Sequence, residues 1–141
     1  MKVYTSFRAH FSAGHRLHNP RLDEAANRSL YGKCNNPNGH GHHYLVEVTL
    51  VGEPDPELGR FVDVDEVTAW FERTILCELD HRNLNLDVSF LKDLIPTAEN
   101  IAQRLFELVE AGPYGRFLHE VRLFETENNI ASVRHDRPDE T

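Results

Sequence analysis

Val3, Thr5, Phe7, Ala9, Phe11 and Ala13 alternate with Tyr4, Ser6, Arg8, His10 and Ser12 at the start of the chain. A period of two with apolar residues on one side predicts a long half-buried β-strand. His15 continues the apolar parity and is expected to point inward unless Gly14 introduces a bulge. Residues 19–31 read as a loop with a short helical turn. A second strand follows, in which Val46, Val48 and Leu50 alternate with Glu47 and Thr49, and its parity runs back through Tyr44 to His42 and His40. GEPDPELGR, residues 52–60, is turn chemistry. The period then changes: Val67, Phe71, Thr74 and Ile75 predict a helix from about 65 to about 79, capped by Asp63 or Asp65. That helix delivers Asp80 and His81 at its end. After a loop reaching Pro96, Thr97 caps a second helix, with Glu99 suited to its positive end and Ile101, Leu105, Leu108 and Val109 as its apolar stripe. Gly112 and Pro113 stop it. Strands over 117–125 and 130–134, joined by TENN, close the pattern, and the tail 135–141 is expected to be mobile.

The order ββααββ predicts an α+β fold, a four-stranded antiparallel sheet with two helices on one face. The open edges of such a sheet are a physical reason to expect assembly. With 141 residues, 1–141 is expected to be one domain. No apolar run approaches the ~20 residues that cross a bilayer, and the N-terminus lacks the apolar core of a signal peptide, so a cytoplasmic location is expected with no membrane partner. Cys34 and Cys77 are then expected to be free thiols, Cys77 as a structural or incidental residue. A net charge of −8, from 15 basic and 23 acidic residues, leaves no basic footprint for nucleic acid. An anionic substrate would need a local positive pocket.

The chemistry concentrates in GKCNNPNGHGHHYLVEVTLVG, residues 32–52. His40 and His42 leave the same strand face, roughly 6.5 Å apart at the backbone from the rise per residue. Two rings leaning inward can share one ion at metal–nitrogen distances of about 2.0–2.1 Å, with Gly39 and Gly41 leaving room. A His-x-His pair alone is common on surfaces. Here His15 in FSAGHRLH supplies a candidate third ligand, and three histidines with an open fourth position make the pattern of a catalytic zinc site. Cys34 lies between Lys33 and an Asn-rich turn, an environment that can stabilise a thiolate.

The runs FSAGHRL, YGKCNNPNGHGHHY, LDHRNL, TAEN and FETENNI, in this order and spacing, resemble the 6-pyruvoyl tetrahydropterin synthase family, which includes the 6-carboxytetrahydropterin synthases; the likeness spans about 11–130. The resemblance implies a tunnelling fold, in which three subunits join their sheets into a barrel and two trimers stack into a homo-hexamer with sites between subunits. It implies a zinc-dependent lyase converting 7,8-dihydroneopterin triphosphate to 6-pyruvoyltetrahydropterin with loss of triphosphate. His15, His40 and His42 would hold zinc, Cys34 would be the general base, and Asp80 with His81 would relay protons. Glu125 would anchor the pterin by paired hydrogen bonds, with Thr97 and Ala98 lining the pocket. Arg16, Lys33 and Arg8 are the candidates for the triphosphate, and His10, His18, His43, His119 and His135 receive no role. The alternative is a 6-carboxytetrahydropterin synthase of the queuosine pathway, releasing acetaldehyde and triphosphate; the five residues between Cys34 and His40, and the ETENN string, favour the pyruvoyl enzyme. A non-catalytic metal- or pterin-binding module is a third reading, against which Cys34, Asp80 and His81 count.

Overall fold

The computed structural model describes residues 1–135. Its first strand, β1 (Val3–His15), pairs with β2 (His40–Gly52) in an antiparallel ladder that runs without a slip from Val3 opposite Gly52 to His15 opposite His40. No bulge interrupts it at Gly14. The predicted parity therefore holds to the last pair: Phe7, Ala9, Phe11, Ala13 and His15 are buried, as are Tyr44, Val46, Val48 and Leu50 on the same face. Asp23 caps the helix α1 (Glu24–Tyr31) by accepting from the Ala26 amide. Asp63, not Asp65, caps α2 (Val64–Thr74), and Thr97 caps α3 (Ala98–Ala111). The sheet is completed by β3 (Arg82–Asn83), β4 (Leu118–Phe124) and β5 (Ile130–Arg134) in the order β3-β1-β2-β4-β5.

Among the described residues the sheet is thus five-stranded and mixed, not four-stranded and antiparallel, and there are three α-helices rather than two. The extra strand is two residues long and parallel to β1, too short for any alternation to be visible. It also explains why α2 ends at Thr74 instead of running to 79. The chain tightens into a 3₁₀ turn at Leu76–Glu78 and swings back to the β1 edge, where the His81 amide donates to Ser12 O (2.6 Å) and the Leu84 amide to Gly14 O (2.8 Å). Tertiary pairing has overridden helix propagation.

Phe71, Val67, Ile101, Leu105 and Val109 from α2 and α3 pack on the apolar face. The stripe of α3 also includes Ala102 and Phe106, whereas Leu108 is only half-buried. The opposite face carries a charged ladder across four strands: Arg8 pairs with Glu47 (2.8 Å), Arg122 with Glu47 (3.6 Å) and Glu120 (3.9 Å), and Arg134 with Glu120 (3.9 Å). No helix among the described residues is long and apolar enough to cross a membrane. Of the tail expected to be mobile, His135 lies 2.8 Å from Glu110 and edge-on to Phe106; 136–141 lie outside the described residues.

The loop before α1 is organised by Asn27, which is fully buried. Its Nδ2 donates to the carbonyls of Asn19, Leu22 and Asp23 at 3.0–3.2 Å, and its Oδ1 accepts from the Asn19 amide at 2.7 Å. Asn27→Ala strands these buried groups and is expected to cost about 2–3 kcal/mol. Urea unfolding is the check; a loss under roughly 0.5 kcal/mol, the size of an ordinary surface change, would contradict this account.

Candidate active site at the end of the β1–β2 ladder

Because His15 stands opposite His40, and Ala13 opposite His42, the ladder delivers three imidazoles to one place. Their ring centroids lie 4.8–5.0 Å apart, with each pair of rings close to perpendicular. Gly39 makes the entry to β2 possible: its φ is +72°, and a Cβ there would lie 2.8 Å from the His15 carbonyl oxygen. Gly41 is less restrictive, since a Cβ would meet Ala13 O at an ordinary 3.6 Å. His15 Nδ1 donates to the Pro96 carbonyl (2.9 Å), which fixes the tautomer and turns the lone pair of Nε2 toward the other histidines. His15 Nε2 and His40 Nε2 face each other at 3.2 Å.

Two further groups join the cluster. The ligand atoms of His15, Cys34 and His40 lie within 4.8 Å of one another, as do those of His15, His42 and Glu125. Cys34 sits in the 3₁₀ turn Gly32–Asn35, tied to the β1 extension by the Leu17 amide donating to Cys34 O (2.8 Å). Asn35, in that same turn, is buried, and its Nδ2 reaches Leu17 O (2.8 Å) and His18 Nδ1 (3.0 Å). Glu125 is buried just beyond β4, with Oε1 3.7 Å from His42 Nε2. That nitrogen is buried with no hydrogen-bond partner among the described residues. An orphaned imidazole nitrogen beside converging Nε2 atoms and a carboxylate is a donor set that fits a divalent cation.

Burial holds His15 and His42 below the ordinary imidazole value, against the upward pull of Glu125, so both are neutral and able to ligate. Burial, and then the Glu125 charge, push the Cys34 thiol up. This corrects the expectation that Lys33 and the Asn-rich turn stabilise a thiolate: within one chain Lys33 is exposed at the rim of a neighbouring cavity. The same two causes, with Cys34 adding, push Tyr44 up and keep its phenol neutral.

Asp80 and His81 are not among the converging ligand atoms, although His81 shares a cavity wall with His42. Asp80 Oδ1 accepts from the Ser12 amide (2.9 Å) and lies 3.0 Å from His81 Nδ1; the Ser12 amide first, then His81, hold the carboxyl below its usual value. His81, at φ +60°, leaves its ring exposed. The pair has the carboxylate-behind-imidazole form of a proton relay, yet the cluster that holds Cys34 contains neither residue. Thr97 follows the carbonyl that supports His15, and Ala98 is buried beside it. Arg16 lines both a cavity of about 630 Å³, with His15, His40 and Asn85, and an adjoining one of about 780 Å³, with Arg28 and Lys33. Asn85 clasps Arg16, accepting from its amide (2.7 Å) and donating to its carbonyl (2.8 Å). Arg8 is withdrawn from the phosphate candidates, being spent on Glu47 in the middle of the polar face. Pro96 O, Asn35 and Asn85 escaped sequence reasoning; Asn35 could have been suspected within CNNPNGHGH, whereas a supporting carbonyl leaves no sequence signal.

A family model described as 6-pyruvoyl tetrahydropterin synthase matches residues 4–136. Human 6-pyruvoyl tetrahydrobiopterin synthase is 44% identical over 130 residues, 92% of this chain and 89% of its own. The structure of Caenorhabditis elegans 6-pyruvoyl tetrahydropterin synthase superposes with a TM-score of 0.89 at 39% identity, covering 96% of this chain and 97% of that one. A more remote relative, 6-carboxy-5,6,7,8-tetrahydropterin synthase of Rickettsia bellii, is 29% identical over 115 residues, 67% of this chain and 81% of its own.

The imidazole shifts carry a pH prediction. Where folding lowers a histidine's value, the unfolded chain binds more protons, so stability is complete above about pH 6.5 and falls as the pH drops below it. Metal-free protein should therefore unfold at lower urea at pH 5.5 than at 7.5, with a shallower pH slope in His15→Gln. Added Zn2+ should raise the midpoint at pH 7.5 and lose that effect toward pH 5 as protons compete; His42→Ala should lose most of the gain. Equal metal-free midpoints at both pH values would refute the burial argument.

Proposed function

We propose that this chain, which belongs to the 6-pyruvoyl tetrahydropterin synthase family, is a zinc-dependent lyase that converts 7,8-dihydroneopterin triphosphate to 6-pyruvoyltetrahydropterin with elimination of triphosphate. The observation that carries the reading is the convergence of His15, His40 and His42 with Cys34 and Glu125 at the end of one strand ladder. A binding module needs an anchor and a metal; it does not need a thiol beside them.

His15, His40 and His42 would hold the zinc, which when bound supplies Lewis-acid polarisation of the substrate's side-chain hydroxyls. Glu125 would accept the ring N–H and NH2 of the pterin with its two oxygens, and Thr97 and Ala98 would close the pocket around the ring. Cys34, which must first lose its own proton and would be helped to do so by a cation bound beside it, would as the thiolate take a proton from the side chain. Asp80 and His81 would return it, His81 as the donor and acceptor and Asp80 as the group that orients it. Arg16 and Lys33 would carry the triphosphate, a role consistent with the shared wall of the two cavities. The ring is reduced at the expense of the side chain, so protons move and no external redox cofactor enters.

The separation of the relay from Cys34 within a chain has a natural resolution in assembly. In this reading three chains join sheets through the open β3 and β5 edges into a barrel, two such trimers stack into a hexamer, and one chain's Asp80 and His81 serve its neighbour's Cys34. The enzyme would work in the cytoplasm.

Mass spectrometry of the product formed from 7,8-dihydroneopterin triphosphate is the direct test. The expected mass is that of 6-pyruvoyltetrahydropterin, with triphosphate released; the 6-carboxy product would transfer the chain to the other activity, and no turnover would leave a binding module. Cys34→Ala should lose about 10²–10⁴-fold in kcat while retaining zinc. Mixed and reassembled oligomers of Cys34→Ala and His81→Ala should regain activity that neither has alone. Failure to regain it, with mixed oligomers verified by mass, would place base and relay in the same chain.

A further inference from the structure

Glu125 is the one acid among the buried described residues, and among the described residues no Lys or Arg pairs with it; the imidazole of His42 lies 3.7 Å away. A buried carboxylate in that position needs hydrogen-bond donors. One comes from the turn that follows. Asn129 Nδ2 donates to Glu125 Oε1 (3.2 Å), while the Glu125 amide donates to the Asn129 carbonyl (3.0 Å). Asn129 thus grips the same residue by its main chain and by its carboxylate. The turn is itself braced, since the Thr126 hydroxyl oxygen accepts from the amides of Asn128 (3.2 Å) and Asn129 (3.1 Å). An exposed turn residue has its amide committed to a buried acid.

We propose that Asn129 is a positioning residue for pterin binding, selecting the Glu125 rotamer that presents the carboxylate to the ring; this rests on reading Glu125 as the pterin anchor. The physical case is one of donor count and entropy. A glutamate side chain has three rotatable bonds, and ordering it on ligand arrival subtracts from affinity. One amide bond to Oε1 fixes it in advance and still leaves each oxygen a lone pair for the ring N–H and NH2. An asparagine can do this where an aspartate cannot, because a second carboxylate at this distance repels the first.

The test is equilibrium binding of neopterin, a pterin without phosphate, alongside steady-state kinetics and zinc analysis on the full-length protein. Asn129→Asp, which keeps side-chain size and the main-chain bond, is expected to weaken neopterin binding by about tenfold to a hundredfold, the range for one hydrogen bond to a charged group. KM should rise far more than kcat falls, with zinc content unchanged. Adding Asn129→Asp to Glu125→Gln should cause little further loss, because the repulsion has been removed. If Asn129→Asp does not fold, Asn129→Ala carries the same test with a smaller effect. Loss of binding in Glu125→Gln but not in the Asn129 variants would overturn the proposal and leave the anchor reading standing. Unchanged binding in Glu125→Gln would overturn the anchor reading, and the proposal with it. Additive losses in the double variant would reduce Asn129 to a hairpin residue and also overturn the proposal.

Discussion

The site depends on register. Thirteen consecutive residue pairs join β1 to β2, and side chains alternate across a strand with a period of two, so a slip by one residue would move every inward group of one strand to the outer face. His15 would then turn outward, to the face that carries the charged ladder. At the His15 end Gly14 and Gly41 face each other and bring no side chains to resist a slip, so the hold there is polar, from the Leu84 amide on Gly14 O and from His15 Nδ1 on Pro96 O. Register is set by the opposite stretch, where Phe7, Ala9 and Phe11 lie against Val48, Val46 and Tyr44, and Phe11 stacks on Tyr44 at 4.6 Å between ring centroids. The chemistry at one end of the ladder is thus specified by apolar burial along its length.

Electrostatically the cluster is one carboxylate surrounded by groups that burial keeps neutral. Glu125 is a cause of the upward pull on His15, His42, Cys34 and Tyr44 alike. A divalent cation and the paired donors of an aminopyrimidine are two kinds of partner that match such an arrangement. In the proposed reading, metal site and ring anchor would share one charge. Cys34 feels both, which ties its proton affinity to whatever the rest of the cluster binds.

What was legible in the chain followed from periodicity and from special residue types. The alternation of β1 and β2 placed His15, His40 and His42 on one face because burial enforces the same period that the sequence displays. Helix caps were readable too, since Asp63 and Thr97 do locally what their chemistry allows. β3 was not readable: two residues carry no period, and their pairing depends on where α2 stops, which is a tertiary decision. α1 was visible only as a short turn, because its organising contact is a polar residue, Asn27, bonded to main-chain groups on three other residues. That the cluster holding Cys34 includes neither Asp80 nor His81 was not legible in the spacing either, since motifs that follow one another in the sequence carry no measure of their approach in space.

The support of His15 by Pro96 has a consequence for how this site would look under mutagenesis and in evolution. The acceptor is a main-chain oxygen, so no side-chain replacement at position 96 removes it, and a scan by alanine would record the position as indifferent. What holds the ring is the path of the polypeptide into α3, and the contact can be lost only by rerouting that path or by changing the amide itself to a weaker acceptor such as an ester. The orientation of the His15 ring is in this way inherited from the backbone, out of reach of side-chain replacement at the residue that supports it.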